Sequence, residues 1–203
     1  MKKIYFLLIA VCMVFSASAQ DFAKHLTTAR TNYKAGKLED SRFAMQQMLQ
    51  QLDSLTGEQV LKLLPTKMID KDVRAQRDDV SGASGFVGVL IHREYGLDVK
   101  KSPYDSLAVE LDIISNSPLI GTINALLSMP LGIGSGPDQK IIKVQGYKAL
   151  LSKTSGDAEN KEFELQLPLN NALITLRAPG RSQDDIIKMA NLIPVGDIAK
   201  LIQ

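Results

Sequence analysis

Apolar positions follow two regimes along the chain. Up to residue 65 they recur every three or four residues, and from residue 86 they alternate with polar ones, which are the periods of a helix face and of a strand. Phe22, Leu26, Ala29 and Tyr33 predict a first helix from Asp21 to Ala35, stopped by Gly36. A second is expected over Glu39 to Leu52, with Ala44, Met48 and Leu52 on one stripe and Met45 and Leu49 beside it. Thr56 and Gln59 have capping-box spacing, so a short third helix with Val60, Leu61 and Leu64 runs to Pro65. Residues 66–84 mix both charge signs without an apolar period and read as a linker.

Strand patterns occupy the remainder. Val87, Val89, Ile91 and Tyr95 alternate, as do Leu107, Val109, Leu111 and Ile113, with a hairpin loop over Gly96 to Asp105 between them. Ser117 and Pro118 suit the first positions of a helix carrying Leu119, Ile120, Ile123, Leu126 and Leu127, ended by Pro130. Lys140 to Lys153 is expected as one long strand with a bulge or bend at Gly146. Lys161 to Leu169 and Ala172 to Ala178 flank a tight turn at Asn170-Asn171. A final helix begins at Ser182, with Asp185 as its capping partner, and Pro194 interrupts it before Asp197 to Ile202. The order ααα-ββ-α-βββ-α predicts an α+β fold: an N-terminal helical hairpin, then a mainly antiparallel five-stranded sheet covered by helices. The corresponding divisions are 1–19, 20–65, 66–84 and 85–203.

Residues 1–19 carry a different signal. Lys2 and Lys3, the apolar run from Ile4 to Phe15, and Ser16-Ala17-Ser18-Ala19 are the three parts of a secretory signal peptide of bacterial style. Cleavage after Ala19 predicts a periplasmic or extracellular protein. Val11 stands where a lipidated Cys12 would need a small residue, so lipidation is not expected. The cut removes the chain's one cysteine, which leaves no thiol for catalysis, metal binding or disulfides. It also removes two of the 24 basic residues, balancing the 22 acidic ones, and a net charge of zero argues against a nucleic-acid partner. No later stretch is apolar for long enough to span a membrane.

Chemical motifs are sparse. Gly132-Ile133-Gly134-Ser135-Gly136 follows a predicted helix rather than a strand and lacks the third glycine of a dinucleotide fingerprint. The acidic residues around Asp70 and Asp72 lack the spacing of a calcium loop. Two histidines, His25 and His92, restrict imidazole chemistry. If Val89 and Ile91 face the core, His92 and Glu94 face away, and Glu110 and Asp112 of the next strand share that outer side. One imidazole among three carboxylates makes His92, Glu94, Glu110 and Asp112 the candidate ligand-binding residues, against the simpler reading of a solvated face with cross-strand charge pairing. No catalytic residue, metal ligand or cofactor is assigned.

Three resemblances add to this reading. Ala29, Tyr33, Gly36, Leu38, Ser41, Met45 and Met48 have the spacing of a tetratricopeptide-like helical hairpin, where a small residue at Ser41 allows close helix approach. That resemblance implies a peptide-binding groove; a plain helical hairpin remains the alternative. Gly146 to Ala149, and the segment from Asp185 to Ala190, resemble the last section of PsbP/Mog1-type domains, which implies a binding or accessory role. The chain also resembles small uncharacterised exported bacterial proteins ending in a Met-Ala-Asn-x-Ile-Pro segment, here Met189 to Pro194.

The functional expectation is a non-enzymatic binding or accessory protein of the bacterial envelope, whose partner is a protein or small envelope ligand. The alternatives are a carboxylate-based hydrolase acting on a glycan and a self-assembling structural protein. N-terminal sequencing of the exported chain should start at Gln20 or its pyroglutamyl form; a product retaining Lys2 and Lys3 removes the export argument.

Overall fold

The computed structural model describes residues 21–82, 89–98, 100, 104–115, 119–128, 138–154 and 162–202. The expected signal peptide, Val87, the Ser117-Pro118 cap, Pro130 and the glycine run at 132–136 lie outside the described residues. The chain divides into two compact units, residues 1–55 and 56–203. Among the described residues, no helix is long and apolar enough to cross a membrane.

In the first unit, helix α1 covers 21–34 and α2 starts at Leu38 after a three-residue connection. Ala29, Ser41 and Ala44 are buried, and the Ser41 hydroxyl donates to the Ala29 carbonyl at 2.9 Å. Small side chains at this seam let the two backbones approach closely.

α2 runs without interruption from Leu38 to Leu63, so the two helices expected over 39–65 are one. No proline falls between the two segments, and the Thr56-to-Gln59 capping pattern is overridden because the preceding turn is already helical. The part of α2 from Thr56 onward belongs to the second unit. Val60 and Leu64 enter its core, and a Cβ on Gly57 would come within 2.5 Å of Val80 Cγ1 and 3.0 Å of Val89 Cγ2.

Among the described residues the sheet has nine strands rather than five, all paired antiparallel: β1 (Lys67–Met68), β2 (Lys71–Val73), β3 (Asp79–Gly82), β4 (Val89–Gly96), β5 (Val109–Ser115), β6 (Gln139–Val144), β7 (Tyr147–Thr154), β8 (Glu162–Pro168) and β9 (Ala172–Ala178). Their order is β1-β2-β4-β5-β9-β8-β7-β6, with β3 also pairing β4. The stretch read as a linker, 66–84, therefore supplies β1, β2 and β3 at one edge; residues 83 and 84 lie outside the described residues. These strands are two to four residues long, too short to display an alternation. Their charges are absorbed locally: Lys67 faces Asp72 across β1–β2 at 3.6 Å, and Asp70 pairs Arg181 at 2.7 Å.

The expected long strand over Lys140–Lys153 is a hairpin instead. Gln145 and Gly146, between β6 and β7, both have positive φ (50° and 89°), which is the requirement of a two-residue turn matching strand twist. Gly146 thus reverses the chain rather than bending it. The Gln145 amide donates to the carbonyls of Asn191 and Ile193 at 3.0 and 2.6 Å, satisfying the end of helix α4 (Gln183–Leu192). The capping pair at Ser182 and Asp185 forms as expected, with Ser182 Oγ accepting from the Asp185 amide at 3.2 Å. Helix α5 (Val195–Ile202) follows Pro194.

One face of the sheet packs Ile91, Leu111, Leu165, Ile174 and Leu176 against Ile186 and Met189 of α4 and Val195 and Ile198 of α5. Part of the other face holds a smaller cluster, in which Leu150 and Leu173 meet Ile120, Ile123 and Leu127 of α3 (Leu119–Ser128). A buried charge, Arg93, intrudes on the core face. Arg93 grips both carboxylate oxygens of Asp78, at 2.9 and 2.5 Å, and donates to the Leu64 carbonyl at 3.2 Å. It therefore ties the C-terminus of α2 and the approach to β3 onto β4.

Glycines in two helices should respond oppositely to alanine. Gly57→Ala places a methyl against two stiff β-branched side chains and should destabilise by about 1–3 kcal/mol. Gly121→Ala, with nothing within 4 Å, should stabilise by up to about 1 kcal/mol through helix propensity. Denaturant midpoints of the two variants check the close packing of α2 on β3 and β4; equal shifts contradict it.

Candidate functional site

The four residues singled out by alternation stand on one face, where β4 and β5 present their half-buried positions. Register places His92 directly opposite Asp112 and Glu94 opposite Glu110. His92 Nδ1 lies 2.6 Å from Asp112 Oδ1, and its Nε2 is 3.5 Å from Glu94 Oε1. The other Asp112 oxygen accepts from Arg177 Nη1 at 3.2 Å. Arg177 Nε donates to Glu164 Oε2 at 2.8 Å, and Nη1 is 3.6 Å from Glu110 Oε2. Glu94 Oε2 accepts from Arg74 Nη1 at 3.0 Å. A charge ladder therefore crosses four strands: Arg74, Glu94, His92, Asp112, Arg177 and Glu164, with Glu110 on the side of Arg177.

Alternation found the half of this ladder that lies on β4 and β5. Arg177 and Glu164 occupy outward positions of β9 and β8, so the same rule applied to all paired strands could have included them. Arg74 had no signal, because it lies in the segment read as a linker and only the β2–β4 pairing brings it near Glu94. His25 is on α1 and takes no part.

The electrostatics favour a saturated array over a reactive one. The hydrogen bond to Asp112, aided by the nearby Glu94, outweighs burial and raises the His92 pKa to about 9. At neutral pH the imidazolium has no lone pair with which to ligate a metal or take a proton. Arg177 is likewise held charged, first by Glu164 and then by Asp112 and Glu110. Glu94, Asp112 and Glu164 each accept from a cation, whereas Glu110 has one longer contact and is the most exposed carboxylate of the set, at 42%. Among the described residues, no group of three or more His, Cys, Asp or Glu side chains is placed to hold a metal ion.

Beside the ladder lies a groove of about 260 Å³ lined by Glu110, Glu162, Phe163, Glu164, Arg177 and Pro179 among others. It runs from the free side of Glu110 to Glu162 and Pro179; Phe163 borders it from an inward position of β8, where it packs against the main core. A second hollow of about 200 Å³ lies among Asn124, Tyr147, Asn170, Asn171 and Ile202, away from the ladder residues.

No protein-family model, curated protein or solved structure matches the chain.

The His92 shift fixes the sign of a pH effect. A pKa raised from 6.5 in the unfolded chain to about 9 in the folded one contributes stability that is full below 6.5 and lost as pH rises through 9. Allowing for screening at a partly exposed site, the contribution is on the order of 2 kcal/mol. The stability gap between the wild type and His92→Gln should therefore be widest near pH 6 and close by about pH 10. An imidazole titration by NMR should have its midpoint near 9; a midpoint near 6.5 would mean that the His92–Asp112 contact does not form in solution.

Proposed function

We propose that this chain is a non-enzymatic binding or accessory protein of the bacterial envelope, exported on its N-terminal segment and recognising its partner through the polar face of the sheet. The observation that carries this reading is the saturation of the ladder. Acid–base catalysis on a glycan needs one carboxyl held protonated and a second left free as base or nucleophile. Here Glu94, Asp112 and Glu164 are neutralised by Arg74, His92 and Arg177. What remains available is recognition: Glu110 and Glu162 as acceptors, with Pro179 beside them in the adjoining groove. That combination suits a ligand rich in hydroxyl or ammonium donors.

Soluble envelope glycan fragments and short basic peptides are the probes, read by NMR shift perturbation alongside an assay for released reducing ends. Binding should move the signals of Glu110, Glu162 and Arg177, and Glu110→Gln should weaken it roughly tenfold without any product appearing. Product release that Glu110→Gln abolishes would replace this reading with the carboxylate hydrolase. Failure of both probes to perturb the groove would remove this face as the site.

A further inference from the structure

The helical hairpin carries apolar residues that its own packing does not use. Leu26 and Tyr33 of α1, and Leu38, Met45, Leu49 and Leu52 of α2, are each 46–66% exposed. The two helices are joined by three residues and so run antiparallel. The seam between them is marked by Ala29, Ser41 and Ala44. At about 100° per residue, each stripe is rotated from its helix's seam in the same sense, which in antiparallel helices brings both stripes to the same side of the hairpin. Phe43, also exposed, lies on the far side of α2.

The α2 stripe has the spacing of a helix–helix seam, with successive intervals of seven, four and three residues from Leu38 to Leu52. Arg42 and Asp53 flank it. They are eleven residues apart, about three turns, so both stand on the same edge of the stripe. Among the described residues neither makes an ion pair.

We propose that this face pairs with the same face of a second copy, α2 crossing α2 antiparallel about a two-fold axis near residues 47–48. In that arrangement same-edge positions face each other, so Arg42 of each copy meets Asp53 of the other and two symmetric ion pairs form. Burial in the single chain already disfavours the charged form of Asp53, and a guanidinium from the second copy compensates it. Area supports the same occupant. At roughly 100 Å² each, six half-exposed side chains offer about 600 Å² per copy, and two copies reach the roughly 1,200 Å² at which specific interfaces begin. The inference uses residues 21–55 alone and stands apart from the reading of the sheet face.

Sedimentation equilibrium of the chain beginning at Gln20 tests it, with far-UV circular dichroism confirming that each variant is folded. The wild type should form a concentration-dependent dimer. Leu49→Glu should weaken it at least about 100-fold, while Phe43→Glu leaves it unchanged. Asp53→Arg should weaken it about tenfold, and adding Arg42→Asp to that variant should restore it. A monomer at every concentration overturns the proposal, whether the face is then covered by the chain's own sheet unit or by a foreign peptide. So does a dimer that Phe43→Glu breaks as readily as Leu49→Glu. A double variant no better than Asp53→Arg overturns the two-fold antiparallel register.

Discussion

The pairing of β4 with β5 sets both faces of the second unit at once. Val89, Ile91, Arg93 and Tyr95 alternate with Leu90, His92 and Glu94, and β5 follows the same period, so a given register decides which charges meet as surely as it decides which methyls pack. A slip by one residue would carry His92 into the apolar core and Ile91 out of it. Several fully buried side chains therefore hold the 2.6 Å contact between His92 and Asp112, and they hold it more firmly than the contact holds itself. The polar face is positioned by the core behind it.

Charges in this unit are handled in two ways, set by their surroundings. On the half-buried face the ladder spreads three cations over four carboxylates; Arg177 and Glu110 keep much of their water, whereas Arg74, only 3% exposed, relies on Glu94. On the core face Arg93 is likewise nearly dry, and its partners are fewer. It is only 8% exposed, and its charge survives because Asp78 engages it through two nitrogens while the Leu64 carbonyl takes a third hydrogen bond. Tyr95 lies beside this pair, fully buried, and burial pushes its hydroxyl up to about 12. Its ring fills core space while its hydroxyl stays protonated next to the guanidinium. The buried pair is better understood as a fastener between α2, the approach to β3, and β4 than as chemistry waiting for a substrate.

The proposed recognition face and the proposed self-association face are built from different physics. The first is a near-neutral, hydrogen-bonded surface whose selectivity would come from the unsaturated Glu110 and the neighbouring groove. The second is an apolar stripe with few polar directions, suited to a partner that repeats its own spacing. A protein with both would hold a ligand on a paired scaffold, with avidity following from the pairing rather than from any single strong contact.

Much of the fold could be read along the chain because its signals are local. The helix period in 21–52, the period-two alternation of β4, β5, β8 and β9, the Ser182–Asp185 cap and the break at Pro194 each depend on residues a few positions apart, and His92, Glu94, Glu110 and Asp112 share a face for the same reason. Tertiary structure decided the rest. It fused two expected helices into α2, because Gly57 can lie against Val80 and Val89 while Val60 and Leu64 gain a core. It turned a charged stretch into β1, β2 and β3, because two-to-four-residue edge strands are stabilised by their neighbours rather than by their own pattern. It also recruited Arg74, Arg177 and Glu164 into the ladder. Their positions relative to His92 follow from strand order and register, and contacts between strands far apart in sequence leave no period for a single chain to display.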